Sequence, residues 1–558
     1  MNDDTHTAAS PYAGRWVARL RGRIIAQGGT PEQALHAAQA SRPKEKVEIV
    51  YMPVPFSYSP LVEKVRDALP GQEIYLVGGA VRDMLLNRVS HDLDFAVPSN
   101  GISLARRVAN LMQADFMVLD AERDTGRAIV TEPDGSRTYL DFATYRGMSS
   151  PTSAGSIEAD LHARDFTVNA IAFDLRTQTV MDPLNGASDI RATLIRACSP
   201  TSLQDDSVRI LRAIRQAAAL QFKIEMSTRK AMKEAAHLLP TISSERLRDE
   251  LFKILEGRKP DTALRALEML GIFPYLLPEL SVLKGVKQSP PHTEDVWEHT
   301  LSVLRWMEDI LSALAPGYNA DKTNDLFTGL LTLRIGRFRE QFAAHFADLL
   351  NADRSVRAIL FFAALYHDVD KPATKSVDEA GRIRFLDHDV LGAETASRRA
   401  QAFNLSNDEI ERIHKIVKIH MRFHFFTDRM EHDKKEPSRR AIYRFFRDAG
   451  EAGVDLVLLG LADLRGVYGP TLTQEKWAAA LDVARILLEN YWEKREETVA
   501  PPRLLDGNDL MRELELKPGR IVGQLLEAIR EGQATGKIET RDQAVEYAHE
   551  HLKELENS

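Results

Sequence analysis

Residues 73–97 read EIYLVGGAVRDMLLNRVSHDLDFAV. The apolar run EIYLV ends in Gly78-Gly79, the pattern of a buried strand closed by a turn. AVRDMLLN then follows with helical spacing, and DLDFAV alternates as a second strand. Asp92 and Asp94 stand two apart on that strand, so both carboxylates face one side, with Cα atoms about 6–7 Å apart. Neighbouring carboxylates repel each other. A divalent cation relieves the repulsion, and an all-oxygen donor set suits magnesium. Asp141, within a further predicted strand RTYLDFATY, could complete a triad. Gly78 and Gly79 precede a helix start, where the backbone can approach a triphosphate and amide groups can face it. Two metals clamped by three carboxylates would activate an attacking hydroxyl and stabilise a pyrophosphate leaving group. Alone, a D-x-D or a Gly-Gly is a common surface pattern. Here the pair of glycines stands fourteen residues before Asp92, with Arg82-Asp83 between, which raises the combination above chance.

Working outward, ADFMVLD and RAIVTE add short strands, giving an α/β head, and from Ser202 the period becomes helical and stays so. Breaks fall at SPTS (199–202), SPP (289–291) and APP (500–502). Upstream, WVARL and RIIAQGG read as paired strands, and TPEQALHAAQASRP as a helix with Thr30 before Pro31 and Glu32 in its first turn. Residues 1–55 are thus expected to be a small ββα accessory module. The 558 residues suggest three or four domains at roughly 150 residues each. With 73 Lys+Arg against 81 Asp+Glu, the formal charge of -8 excludes a uniformly basic nucleic-acid wrapper but not a local basic groove. The single cysteine, Cys198, excludes an intramolecular disulfide and a cysteine zinc cluster. The longest apolar runs, such as 358–366, are too short to span a bilayer, and MNDDTHTAAS is no secretory signal, so the expectation is a cytoplasmic protein with no membrane partner.

LVGGAVRDMLLNRVSHDLDF resembles the signature of class II tRNA nucleotidyltransferases and bacterial poly(A) polymerases, members of the polymerase-beta-like nucleotidyltransferase superfamily. Four further blocks resemble the family's in order: ARDFTVNAIAFD (ribose contacts), DPLNGASDIRATLIR (head–neck connector), DDSVRILRAIR (base recognition) and SSERLRDELFKIL (neck helix). The resemblance implies an α+β chain. A head with a mixed sheet and helices would cover residues 56–200, and a helical neck 201–290. By position it implies metal ligands at Asp92 and Asp94, a third acidic residue at Asp141, and an Arg-Asp pair near the sugar at Arg164 and Asp165. Ala163 stands where the family usually has another arginine, and Asp205 where it has glutamate. Gly78, Gly79 and Arg82 complete the expected nucleotide pocket.

Asp206 and Arg209 are three apart on a predicted helix and so share a face. A carboxylate accepts from an exocyclic amine and a guanidinium donates to ring acceptors, a combination that selects C and A over U and G. Arg212 and Arg215 continue that face and could hold phosphates.

Nine of the sixteen histidines fall between His292 and His432. His299, His367, Asp368, His388, His420 and Asp463, in HTEDVWEHTL, AALYHDVDKP, LDHDVLGAE, IVKIHMRFH and LGLADLRG, resemble the ligand order of HD-domain metal phosphohydrolases. The resemblance implies such a domain over residues 291–470, hydrolysing phosphomonoesters or cyclic phosphodiesters, and imidazole ligands favour nickel, cobalt or manganese. Asp370 occupies the family's glycine position. His292, His345, His414, His424 and His432 are read as surface or core residues. The tail 471–558, with KPGRIVGQLL opening a helix, is expected to be helical and to touch the tRNA acceptor arm.

The resulting expectation is an enzyme that adds CCA, or part of it, to tRNA 3′ ends from CTP and ATP with Mg2+. Poly(A) polymerase is the neighbouring reading. A phosphohydrolase with a vestigial head and a non-catalytic RNA-binding protein are the alternatives of other classes, and the full acidic set at Asp92, Asp94 and Asp141 argues against both.

Overall fold

Thr30 accepts a hydrogen bond from the Gln33 backbone and so caps the first helix, α1 (Pro31–Ser41). It packs on the antiparallel strands β1 (Arg15–Leu20) and β2 (Arg23–Gly28). The structure adds a third strand to the expected ββα module: β3 (Glu48–Met52) pairs with β1 on the side away from β2. The computed structural model describes residues 12–53, 58–132, 135–145, 155–319, 325–351 and 354–556. They fall into two compact units, 1–241 and 242–558.

In the first unit, α2 (Pro60–Ala68) leads into β4 (Tyr75–Val77), and α3 (Gly79–Leu85) into β5 (Asp92–Val97). Then follow α4 (Gly101–Met112), β6 (Asp115–Asp120), β7 (Thr125–Thr131), β8 (Arg137–Thr144), α5 (Ile157–His162), β9 (Ala172–Asp174), β10 (Thr179–Met181) and α6 (Gly186–Arg191). The strands form one mixed sheet in the order β10-β9-β4-β5-β8-β7-β6, in which β5 and β8 alone are parallel.

Alternation along β5 and β8 sorts the two faces of this sheet. Leu93, Phe95, Leu140 and Phe142 are buried, and the Phe95 and Phe142 rings stack with centroids 4.8 Å apart. Such a pair contributes roughly 0.5–1.5 kcal/mol beyond its area burial. Asp92, Asp94 and Asp141 occupy the opposite pleats.

Past the head, α7 (Ser202–Asp205) and α8 (Arg209–Leu220) are separate helices. This corrects the expectation of one helix carrying both Asp206 and Arg209, because Asp206 is extended (φ -152, ψ 94). Asp and Ser side chains compete for nearby backbone groups and break helices, and 205–207 is Asp-Asp-Ser.

In the second unit the helix Val356–Tyr366 is buried at every residue except Arg357, so it reads as hydrophobic all round and lies at the centre. It contacts Val296–Ala313, His388–Ala402, Asn407–Ile419 and Gly453–Tyr468. Ser406 and Glu409 form a capping box, and Arg354 closes on the buried Glu409 carboxylate at 2.7 and 3.1 Å. Two small hairpins, Leu349–Asn351 with Arg354–Ser355 and Lys375–Val377 with Ile383–Phe385, depart from the all-helical expectation. The last three helices, Gly507–Glu513, Arg520–Ala534 and Arg541–Glu556, share a core around Leu510, Leu525, Ile529 and Ala544. Among the described residues no helix is long and apolar enough to cross a membrane.

Candidate active site and metal centre

Register builds the first site. Arg127 on β7 pairs with Asp141 on β8, Asp141 with Asp94 on β5, and Asp94 with Val77 on β4. Asp94 and Asp141 are therefore lateral neighbours, and the turn at Gly78 emerges beside them. Gly78 has φ +73, and a Cβ there would lie 3.2 Å from Asp94 Oδ2 and 3.1 Å from Arg164 Nη1. Only glycine fits that backbone and that closeness.

Asp94 keeps accessible surface but is crowded by protein. Desolvation raises its pKa, with Asp141 and Asp92 adding to the rise and Arg164 and Arg127 opposing it. An oxygen-only set under mutual repulsion fits a divalent cation, with Asp92 and Asp94 as the residues that would hold it. Asp141 is not simply a third ligand. Arg127 grips it with two hydrogen bonds of 2.7 and 2.8 Å, and the guanidinium lies 4.8 Å from the Tyr139 ring centroid. Arg127 had no sequence signal, because its role exists only through the β7–β8 pairing.

The expected nucleotide-binding residues separate into two groups. Arg164 stands at the cleft, steadied by the buried Asp160 at 3.0–3.1 Å. Asp165, Arg82, Arg209 and Arg212 are instead engaged within the protein. Asp165 is buried and accepts from the Phe166 backbone, Asn169 Nδ2 and Arg212 Nε. Burial pushes its carboxyl up, but Arg212, Asn169 and the Phe166 amide hold it below the ordinary carboxylate range. Asn169 accepts from Arg82 at 2.8 Å and donates to Asp165 at 3.0 Å and Gln216 at 2.9 Å, tying α3 to α8. Asn169 lies inside ARDFTVNAIAFD but was not singled out from it. Arg209 donates to the carbonyls of Ala163 (3.0 Å), Arg164 (3.2 Å) and Ser202 (3.3 Å), with Asp206 4.0 Å away. Asp206 and Arg209 are thus neighbours across the break between α7 and α8 rather than along one helix face. Arg215 is half-buried on α8.

The second site gathers its residues from five helices and their ends. His299 lies on Val296–Ala313, His367 and Asp368 follow Val356–Tyr366, His388 opens His388–Ala402, His420 follows Asn407–Ile419, and Asp463 lies on Gly453–Tyr468. All six are buried. Their donor atoms form two groups that share Asp368: His299, His367 and Asp368, and Asp368, His388 and His420, each within 4.8 Å. Asp463 Oδ1 lies 3.0 Å from His299 Nε2 and 3.9 Å from His367 Nε2.

The hydrogen bonding tests whether these residues fit metal ions. His367, His388 and His420 each direct Nδ1 at a backbone carbonyl, of Ala364, Phe385 and Val417, at 2.6–2.7 Å. A carbonyl only accepts, so Nδ1 carries the proton and the Nε2 lone pair faces inward in the neutral ring. The Nε2 atoms of all four histidines and Asp463 Oδ1 are buried without a well-aligned hydrogen bond, and Asp368 Oδ2 has the Lys371 ammonium at 2.7 Å. Five converging donor atoms left in that state are expensive to bury unless something coordinates them. Burial holds His420 down to about 3, whereas for His299 burial is outweighed by Asp368 and Asp463, which bring it up to about 9. Metal binding there would release the His299 proton.

His424, read from sequence as an ordinary histidine, fixes the free oxygen of Asp463 with Nε2 at 2.7 Å. Lys371 reaches Asp368 Oδ2 at 2.7 Å. Gly466, one turn after Asp463, leaves room for the His299 ring, which a Cβ would meet at 3.1 Å. Asp370 adds nothing to the cluster, since its carboxylate accepts from Thr395 at 2.6 Å.

Comparison with known proteins gives three matching family models: a Poly A polymerase head domain at residues 74–196, a probable RNA and SrmB-binding site of polymerase A at 221–283, and an HD domain at 296–452. An A-adding tRNA nucleotidyltransferase of Deinococcus radiodurans is 33% identical over 478 residues, which is 84% of this chain and 93% of that protein. A CC-adding tRNA nucleotidyltransferase of Thermus thermophilus is 30% identical over 509 residues, 89% of this chain and 95% of that protein. A solved CCA-adding enzyme in apo form I shares the fold, at 21% identity and TM-score 0.53, over 88% of this chain and 92% of that one.

Proposed function

The chain belongs to the class II tRNA nucleotidyltransferase and bacterial poly(A) polymerase family, and from that premise we propose that it adds CCA, or the CC or A part of it, to tRNA 3′ ends from CTP and ATP. The observation that carries the reading is the row Arg127–Asp141–Asp94 beside the Gly78 turn and Arg164, in a chain that matches A-adding and CC-adding relatives over more than nine-tenths of their lengths. Such relatives favour tRNA end synthesis over poly(A) tailing.

Magnesium bound at Asp92 and Asp94 would neutralise the triphosphate and favour ionisation of the attacking 3′ hydroxyl. The protein's own part is positional. Gly78 lets the backbone come close to the triphosphate. Arg164 presents a cation at the cleft, kept straight by Asp160. Arg127 orients Asp141 and limits the repulsion it exerts on Asp94. The Arg82–Asn169–Asp165–Arg212 chain of hydrogen bonds holds α8 against the head, so that Asp206 and Arg209 stand in fixed relation to the ribose-contacting segment. Asp206 accepts from the exocyclic amine of C or A, and Arg209 donates to the ring on turning from the carbonyls of Ala163, Arg164 and Ser202, so the protein replaces a template. In the second unit the His299, His367, Asp368, His388, His420 and Asp463 cluster would hold nickel, cobalt or manganese, which would supply a Lewis acid for hydrolysis of phosphomonoesters or cyclic phosphodiesters, a reaction that prepares RNA 3′ ends.

The test is incorporation into tRNA lacking its 3′ end, with CTP and ATP supplied separately and together and the products sequenced. Addition of C and C, of A, or of all three supports the proposal, and long adenylate tails overturn it. Asp206→Ala should admit UTP or GTP, with a loss of discrimination of roughly 1–3 kcal/mol. An equal fall in rate for every nucleotide would make Asp206 structural.

A further inference from the structure

The N-terminal module has two unlike ends. At one end Arg15 donates to Asn185 Oδ1 at 2.7 Å, Gly29 O accepts from the Asp182 amide at 3.0 Å, and Gln33 donates to Pro183 O at 2.7 Å. Tyr51 Oη accepts from the Val180 amide at 3.0 Å. A Cβ at Gly29 would overlap the Asp182 carbonyl at 1.6 Å, so the module sits tightly on the head segment 180–185.

Strand register places the other end. Arg19 pairs with Glu48 and Leu20 with Arg23, so the β1–β2 turn and the loop between α1 and β3 lie together at the far edge of the sheet. Arg21, Arg23, Arg42, Lys44 and Lys46 lie there and are exposed, whereas the half-buried Arg19 directs its guanidinium back to Met52 Sδ at 3.4 Å. Arg42 meets Glu45 at 3.5 Å. Among the described residues, no ion pair engages Arg21, Arg23, Lys44 or Lys46. Residues 12–53 hold seven Lys and Arg against three Glu and no Asp, a net +4 in a chain of net -8. A local cationic surface on an acidic protein is the footprint of a polyanion.

We infer that this edge is a phosphate-docking surface for the body of the tRNA. The inference rests on the reading of tRNA as substrate. Five residue steps along β1, at about 3.3 Å each, set the cations about 17 Å from the anchored end. None of them belongs to the carboxylate cleft, so on this reading they meet backbone phosphates rather than the 3′ terminus, and contribute affinity without choosing nucleotides. No family model matched to the chain covers these residues, since the first begins at residue 74.

The test uses the full-length protein with Arg21→Glu, Arg23→Glu, Lys44→Glu and Lys46→Glu combined, and titrates whole tRNA across a salt series. The expected result is a Kd raised about tenfold or more, and a log–log salt slope shallower by roughly 0.9 for each phosphate no longer neutralised. Binding of a short single-stranded oligonucleotide with the tRNA 3′-end sequence should stay at the wild-type value. Arg21→Lys with Arg23→Lys, Lys44 and Lys46 retained, should behave as wild type, since charge rather than fork geometry is at work. An unchanged Kd and slope for whole tRNA would overturn the inference, as would equal weakening for the short oligonucleotide. Failure of wild-type protein to extend tRNA at all would be seen separately in the incorporation assay, and would count against the proposed function instead.

Discussion

Asp94→Asn and Asp92→Asn are each expected to lower incorporation of CTP and ATP by about 10³-fold or more, equivalent to roughly 4 kcal/mol of transition-state stabilisation. The fold should survive, because both side chains lie on the open face of β5 while Leu93 and Phe95 supply the packing. Stability should move in the opposite direction to activity for Asp94. Its pKa is raised by desolvation, with Asp141 and Asp92 as like charges. A group whose folded pKa lies above its unfolded value stabilises the fold at low pH, and that contribution is lost as pH rises through the folded pKa. At neutral pH without divalent cations, ionised Asp94 therefore weakens the protein, and Asp94→Asn should melt at or above the wild-type Tm. Added magnesium should raise the wild-type Tm and leave the variant nearly unmoved. Arg164 would keep Asp160 as its partner in the variant, so no new unpaired cation confuses the measurement. Retention of more than a few per cent of the wild-type rate would remove Asp94 from the metal site.

What could be read from the sequence follows the range of the interactions concerned. The D-x-D strand and the Gly-Gly turn are local patterns, set by alternation along β5 and by a backbone conformation that only glycine accepts, so they were legible. Arg127 was not, because its grip on Asp141 depends on which strand lies beside β8. His424 stayed hidden for the same reason: its partner Asp463 belongs to another helix, 39 residues away. The break at Asp206 could have been read, since Asp-Asp-Ser is poor helix interior and good capping sequence. The third strand of the N-terminal module, EIVYM, was also within reach, as an apolar run following Pro43 and ending before Pro53. Asp165 shows the limit of carrying a role by position. An Arg-Asp pair promises two polar groups at the sugar. The structure turns one side chain out and the other in, because Asn169 and Arg212 offer the buried carboxylate better partners than water.

Replacing His367 and Asp368 together with alanine is expected to abolish metal-stimulated hydrolysis of phosphomonoesters or 2′,3′-cyclic phosphates while nucleotide addition continues near the wild-type rate. The two substitutions remove the carboxylate shared by both donor groups and one imidazole of the first. Asp368 belongs to both donor groups, and His367 Nε2 is among its orphaned atoms. The oxygen ligands proposed for nucleotide addition lie on β5, in the other compact unit. A reading independent of activity comes from thermal stability. An ion bound only by the folded state stabilises it by about 2.7 kcal/mol at a concentration 100 times its Kd. After chelation, nickel, cobalt or manganese should therefore raise the wild-type Tm more than magnesium does, since imidazole ligands prefer those ions. The double variant should show no such rise. Removing His424 with His424→Ala should weaken the metal response without abolishing it, because it frees the Asp463 oxygen it now holds but deletes no ligand. If wild-type protein neither hydrolyses these esters nor gains stability with any of the ions, the six converging side chains are packing alone. If the double variant keeps its fold and its metal-free Tm yet loses nucleotide addition, the two centres are coupled rather than separable.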